Sequence, residues 1–165
     1  MSEVLHDVQG EESITAALVD LLNDCPFISF DISFASLPEK SGIAIYPTGG
    51  SAILSERKSI TDHVTQNCAY SFAVVYRTFG SNDSRKQNAK ELLDNVGRWL
   101  ERQKVKVGST EYQLEGYPEL TSGRVIRQIT RQSSAAIDTI SDTSEIWGIR
   151  MRCEYRNEFD LTPIF

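Results

Sequence analysis

Phe72-Ala73-Val74-Val75-Tyr76-Arg77-Thr78-Phe79-Gly80 and, after a short polar turn, Ala89-Lys90-Glu91-Leu92-Leu93-Asp94-Asn95-Val96-Gly97-Arg98-Trp99-Leu100 place two different hydrophobic periods side by side. In the first, Tyr70, Phe72, Val74 and Tyr76 alternate with Ser71, Ala73, Val75 and Arg77, which is the period of a strand. The pattern predicts a long strand over 64–79, broken by Gly80-Ser81-Asn82-Asp83. In the second, Ala89, Leu92, Leu93, Val96, Trp99 and Leu100 fall on one stripe of a helix, predicted from about Ser84 to Gln103. Ser84 with Gln87 three positions later fits a capping box. Arg85 and Lys86 in the first turn oppose the helix dipole and read as solvated surface.

Toward the N-terminus, Ile14, Ala17, Leu18, Leu21 and Leu22 predict a helix over 11–23, with Glu11 and Glu12 in its first turn. Pro26 ends it by the second residue before the proline. Gly10 argues against extension upstream, so residues 1–10 are expected to form an arm. Ile28, Phe30, Ile32 and Phe34 alternate with Ser29, Asp31 and Ser33, which predicts a strand over 27–35. The turn Leu37-Pro38-Glu39-Lys40-Ser41-Gly42 and a short strand from Ile43 to Tyr46, closed by Pro47-Thr48-Gly49-Gly50, then suggest a β-hairpin. Ser51 to Thr61 reads as a loop or as part of a strand leading out of the domain.

Toward the C-terminus, a short strand is expected around Glu111 to Leu114, and two longer ones over 124–132 and 145–157. In the last, Trp147, Ile149, Met151, Cys153 and Tyr155 face one way, and Arg150, Arg152, Glu154 and Arg156 the other. Ser133 to Ser144 is small and polar and reads as a mobile hairpin loop. Asn157 to Phe165, with Pro163, reads as a tail over the surface. Helix, strands, helix, strands in runs argue for a single α+β domain over 1–165, an antiparallel or mixed sheet packed with two main helices.

The chain has 165 residues, 40% hydrophobic, 24% charged and 9% aromatic, values of an ordinary globular domain. No run approaches the ~18 apolar residues that span a bilayer, and the acidic start Met1-Ser2-Glu3-Val4-Leu5-His6-Asp7 is unlike a secretory signal. These features predict a soluble intracellular protein with no membrane partner. The formal net charge is −6. Residues 1–24 carry Glu3, Asp7, Glu11, Glu12, Asp20 and Asp24 with no lysine or arginine. Between Arg124 and Arg156 stand Arg124, Arg127, Arg131, Arg150, Arg152 and Arg156 against Asp138, Asp142, Glu145 and Glu154. One end is acidic and the other mildly basic, an asymmetry that steers association.

Catalytic and metal motifs are weak. Cys25, Cys68 and Cys153 are too widely spaced for a zinc site or a disulfide framework and read as reduced hydrophobes. His63 beside Asp62 is a poor candidate for a general base, and a surface histidine is the simpler reading. Gly49-Gly50-Ser51 lacks the lysine of a phosphate-binding loop. Trp99 and Trp147 lie in apolar stripes and read as core. No cofactor, metal or catalytic residue is assigned, and the chain is read as a non-enzyme. An acidic end and a basic end on one domain suit a head-to-tail contact between copies, which closes into a ring when the rotation permits.

The block 72–100 resembles the tail terminator, or minor capsid, proteins of long-tailed bacteriophages. Their pattern is an aromatic-ended strand, a polar turn and a helix ending in a Gly-x-Trp-Leu-like stretch, here Gly97-Arg98-Trp99-Leu100. By element order the likeness runs over about two thirds of the chain. The resemblance implies an α+β virion protein of the tail or neck, assembled in the host cytoplasm. It implies a homo-hexameric ring that caps the tail tube, stops its polymerisation and offers the joining surface to the head. The implied partners are the tail tube protein, a head-connector or head-completion protein, and DNA passing through the lumen without sequence-specific binding. The acidic N-terminal region suits either the lining of the lumen, where acids avoid trapping DNA, or the arginine strand of a neighbour; charge pattern alone sets Arg150, Arg152 and Arg156 against Glu11, Glu12 or Asp20 of the next subunit, with Ile53, Leu54, Arg57 and Lys58 reaching neighbours. The competing readings are a head-completion ring protein, a small nucleic-acid-binding domain using the Arg150–Arg156 face, and an enzyme with scattered residues near His63.

Overall fold

The computed structural model describes residues 10–29, 31–37, 41–79, 83–120, 123–140 and 144–161. The element order is α1 (Glu11–Asn23), β1 (Ile32–Phe34), β2 (Gly42–Lys58), β3 (His63–Phe79), α2 (Asp83–Leu100), β4 (Val105–Val107), β5 (Thr110–Tyr112), β6 (Arg124–Arg131), β7 (Ala136–Ile140) and β8 (Ser144–Asp160). The main sheet has the order β1-β2-β3-β8-β6, and β7 pairs the same edge of β8 as β6 does. Only β1 is parallel to its neighbour, so the class is α+β with a mixed sheet and two helices. β4 and β5 form a separate two-stranded hairpin.

The central strands β2, β3 and β8 each have 17 residues, a reach of about 55 Å at roughly 3.3 Å per residue. One face of this sheet is the core. Phe72, Val74 and Tyr70 of β3 lie opposite Met151, Ile149 and Cys153 of β8, and all six are buried. Ile14, Ala17, Leu18, Leu21 and Leu22 of α1 and Ala89, Leu93, Val96, Trp99 and Leu100 of α2 close over that face. Each fully buried aliphatic side chain among them contributes about 1.5–3 kcal/mol. Gly97 lets α2 approach the sheet: a Cβ there would lie 2.7 Å from Arg131 Cδ and 2.8 Å from Ile149 Cδ1.

Both predicted helices form, and α1 stops at Asn23 ahead of Pro26 as the spacing requires. Gly10, at φ +80°, precedes α1 in a conformation that favours glycine, and the Arg124 side chain packs where a Cβ would stand. Helix α2 ends at Leu100 rather than Gln103, where Arg102 turns to φ +65°. The predicted cap at Ser84, with Arg85 and Lys86, lies outside the described side chains, and the arm 1–9 lies outside the described residues.

Four expectations are corrected. The strand over 27–35 shrinks to Ile32–Phe34, and because β1 is parallel to β2 there is no hairpin with Ile43–Tyr46. The chain stays coiled after α1, with Cys25 N–H donating to Leu22 O (3.1 Å) and Ile28 N–H to Cys25 O (3.3 Å). Phe27 turns inward against Trp99 and Tyr112, Phe34 is exposed, and Phe30 lies outside the described residues. Second, Pro47-Thr48-Gly49-Gly50 does not close β2. The sheet absorbs it as a register shift between Pro47 and Gly50, and the strand runs on to Lys58. Third, Ser133–Ser144 is not simply a loop, because Ala136–Ile140 pairs with β8. Fourth, Asn157–Asp160 is not a surface tail but continues β8, with Asn157 buried beside Gln66 (3.4 Å). Residues 162–165 lie outside the described residues. The short strand sought at Glu111–Leu114 is Thr110–Tyr112, and its partner Val105–Val107 was not anticipated.

Candidate functional site

The second face of the sheet carries no described helix. Alternation along β8 sends Arg150, Arg152, Glu154, Arg156 and Glu158 to this side while Ile149, Met151, Cys153 and Tyr155 enter the core. The β3 residues facing them in register are small or polar: Ala73 opposite Arg150, Ser71 opposite Arg152, Ala69 opposite Glu154 and Asn67 opposite Arg156. That spacing gives the guanidinium groups room to lie along the sheet. Arg152 Nη2 stands 3.2 Å from Glu154 Oε1, and Arg156 Nε stands 3.8 Å from Glu158 Oε1. These are half-exposed pairs of the kind worth about 0–1 kcal/mol, so the row remains a predominantly basic surface.

Two hollows open on this face. At one end Arg57, Arg127 and Arg156 gather with Ser55, Glu56, Thr65 and Asn67 around a cleft of about 310 Å³. At the other end a cleft of about 550 Å³ lies between Leu37 and β7, with Arg77 and Arg150 among its walls. Arg127 was missed as a site residue, because its approach to Arg57 and Arg156 depends on the register shift between Ile126 and Gln128.

The acidic counterpart sits on the opposite side of the sheet. Glu12, Asp20 and Asp24 are exposed along α1, whose buried stripe rests on the core face. The side chain of Glu11 lies outside the described ones. Thus Arg150, Arg152 and Arg156 are brought together, Glu12 and Asp20 are brought together, and the two sets are separated by the thickness of the sheet. Not every arginine of the basic end is at the surface row. Arg131 Nε binds Glu101 Oε1 at 2.6 Å, and Arg124 packs against Gly10 at the start of α1. Of the predicted neighbour-reaching segment, Leu54 and Arg57 are exposed, Lys58 pairs with Asp62 at 3.1 Å, and Ile53 packs against the core.

The nucleophile and base candidates are placed as follows. His63 Nδ1 is 2.8 Å from Asp160 Oδ1, not paired with Asp62. Cys25, Cys68 and Cys153 are free and buried. Burial pushes the Cys25 and Cys153 thiols up to about 12 and raises Cys68 as well, so none is a thiolate at neutral pH. Among the described residues no cluster of three or more His, Cys, Asp or Glu side chains is arranged to hold a metal ion. Among them also, no helix is long and apolar enough to cross a membrane. Comparison with protein-family models gives no match, and comparison with curated proteins gives none either.

Proposed function

We propose that this chain is a tail terminator of a long-tailed bacteriophage, a structural protein that assembles as a ring, the homo-hexamer of the family it resembles, caps the tail tube and presents the joining surface to the head. One observation carries the reading: the acidic stripe of α1 and the arginine row of β8 lie on opposite faces of one sheet. They have no way to meet within a chain, and in the proposed ring they meet between copies. From Glu12 to Asp24 the helix rises about 18 Å, and from Arg150 to Arg156 the strand advances about 20 Å. The stripes are therefore alike in length and opposite in sign. A contact between unlike faces is heterologous, and it generates a ring when its rotation closes.

In such a ring the β8 row of one subunit, Arg150, Arg152 and Arg156, seats against Glu12 and Asp20 of the next. The rims address the tail tube protein on one side and a head-completion or connector protein on the other, and DNA passes through the lumen without sequence-specific contacts. The mechanism is steric and electrostatic and uses no cofactor. The same geometry serves a head-completion ring, which differs only in its partner. Negative-stain electron microscopy of the purified chain, alone and with tail tubes of the same phage, tests the proposal. Rings, or tubes capped at fixed length, are expected. Monomers that ignore the tubes overturn it, and if such monomers bind nucleic acid with a steep salt dependence, the Arg150–Arg156 face is a nucleic-acid surface instead.

A further inference from the structure

We propose that copies of this chain join through a knob and a cleft at the two ends of the long sheet: the apex of the β2–β3 hairpin, led by Ile60, seats in the cleft beside Val75 and Gly148 of a second copy. This contact is independent of the tail-terminator reading.

The knob is the turn Ser59-Ile60-Thr61-Asp62. Ile60 is fully exposed at its apex, a place that ordinarily goes to Gly, Asn, Asp or Ser. The turn around it is braced. Ser59 N–H donates to His63 O (2.8 Å), Asp62 N–H to Ser59 O (3.1 Å), and Leu161 N–H to Asp62 O (2.9 Å). His63 N–H donates to Ser59 Oγ (3.1 Å), and Lys58 and His63 pair with Asp62 (3.1 Å) and Asp160 (2.8 Å). A lone exposed apolar residue is unremarkable on a surface. An isoleucine held out on a pre-ordered turn is different, because docking it costs little further ordering.

The cleft is the 550 Å³ hollow on the helix-free face. Ala73, Val75, Ile146, Gly148 and Ile137 give it an apolar floor and wall, and Arg77, Arg150 and Asp138 give it charge. The knob carries the complement: Ile60 for the floor and the exposed carboxylate of Asp160 for Arg77. From Asp62 to Val75, β3 runs about 43 Å, so a knob never reaches the cleft of its own chain. Each copy has one of each, which makes the contact head to tail and able to propagate.

Sedimentation velocity over a concentration series tests this in a full-length parent chain carrying Arg152→Glu and Arg156→Glu, which removes the arginine-row contact and leaves the lining of the cleft intact, with two further surface variants. Ile60→Asp removes the knob. Ala136→Trp, at an exposed position of β7, fills the cleft. Each alone is expected to self-associate about ten- to a hundredfold more weakly than that parent, the equivalent of one buried isoleucine, with an unchanged thermal midpoint. Mixed in equal amounts they should form a dimer and nothing larger, because only one competent junction exists, the knob of one variant in the cleft of the other. A parent chain that stays monomeric throughout overturns the contact. So does assembly that persists in both variants, or a mixture that stays monomeric. Because no tail tube is present, failure here leaves the result of the capping experiment untouched.

Discussion

Asp94 links helix α2 to the chain entering β7. Its Oδ2 binds Lys90 Nζ at 2.6 Å, and its Oδ1 accepts the N–H of Ala135 at 2.8 Å. Burial is the largest single influence on this carboxyl and raises it. The Lys90 hydrogen bond, the Ala135 N–H and the charges of Lys90 and Arg98 together outweigh burial and hold it below its ordinary value. A group depressed in the folded state contributes stability that is present above its unfolded pKa and is lost as pH falls through its folded pKa. Asp94→Asn is therefore expected to cost about 1–3 kcal/mol at neutral pH in urea denaturation. The gap from the wild type should narrow as pH drops below the usual carboxylate range. A gap that stays constant down to the acid limit contradicts an ionic role for Asp94.

At the scale of elements, the close packing of α2 on β6 and β8 hangs on a residue without a side chain. A Cβ on Gly97 meets Arg131, which can shift, and Ile149, which is buried in the core and cannot. Gly97→Val should lower stability by about 1–3 kcal/mol through overpacking, despite the modest gain in helix propensity. A thermal scan in which Gly97→Val melts at or above the wild type would show that the helix has room to move. Strong periodicity made α2 and β8 legible beforehand: each buries one stripe against one partner, so its apolar residues keep strict spacing. Strand β7 had no such pattern, because all five of its residues are exposed and its place depends on hydrogen bonds to β8 rather than on burial. Strand β2 was cut short for a related reason. Pro47 and the glycines after it read as a stop, yet a bulge lets the ladder resume.

For the whole molecule, the consequence of charge lies in its placement. Reversing the charge of the β8 row at Arg152→Glu with Arg156→Glu leaves the lining of the larger cleft intact. The pair of changes is expected to abolish ring formation or tube capping while the monomer melts as before. Restoring opposite signs with Glu12→Lys and Asp20→Lys in the same chain should recover assembly in electron micrographs. Assembly that is indifferent to both sets of changes would remove the arginine row from the interface.

Sequence alone determined the α+β class, both helices, the long strand β3 and the division of β8 into an apolar and an arginine side, because these follow from local period and turn chemistry. It also showed an acidic beginning and a basic end. Tertiary structure alone decided that β1 runs parallel to β2, that β7 is a strand, and that Arg57, Arg127 and Arg156 come together from three strands. It also decided that the acids of α1 and the arginines of β8 stand on opposite faces of one sheet. Those facts depend on register and on which side of the sheet each helix takes, and both are settled by contacts between residues far apart along the chain.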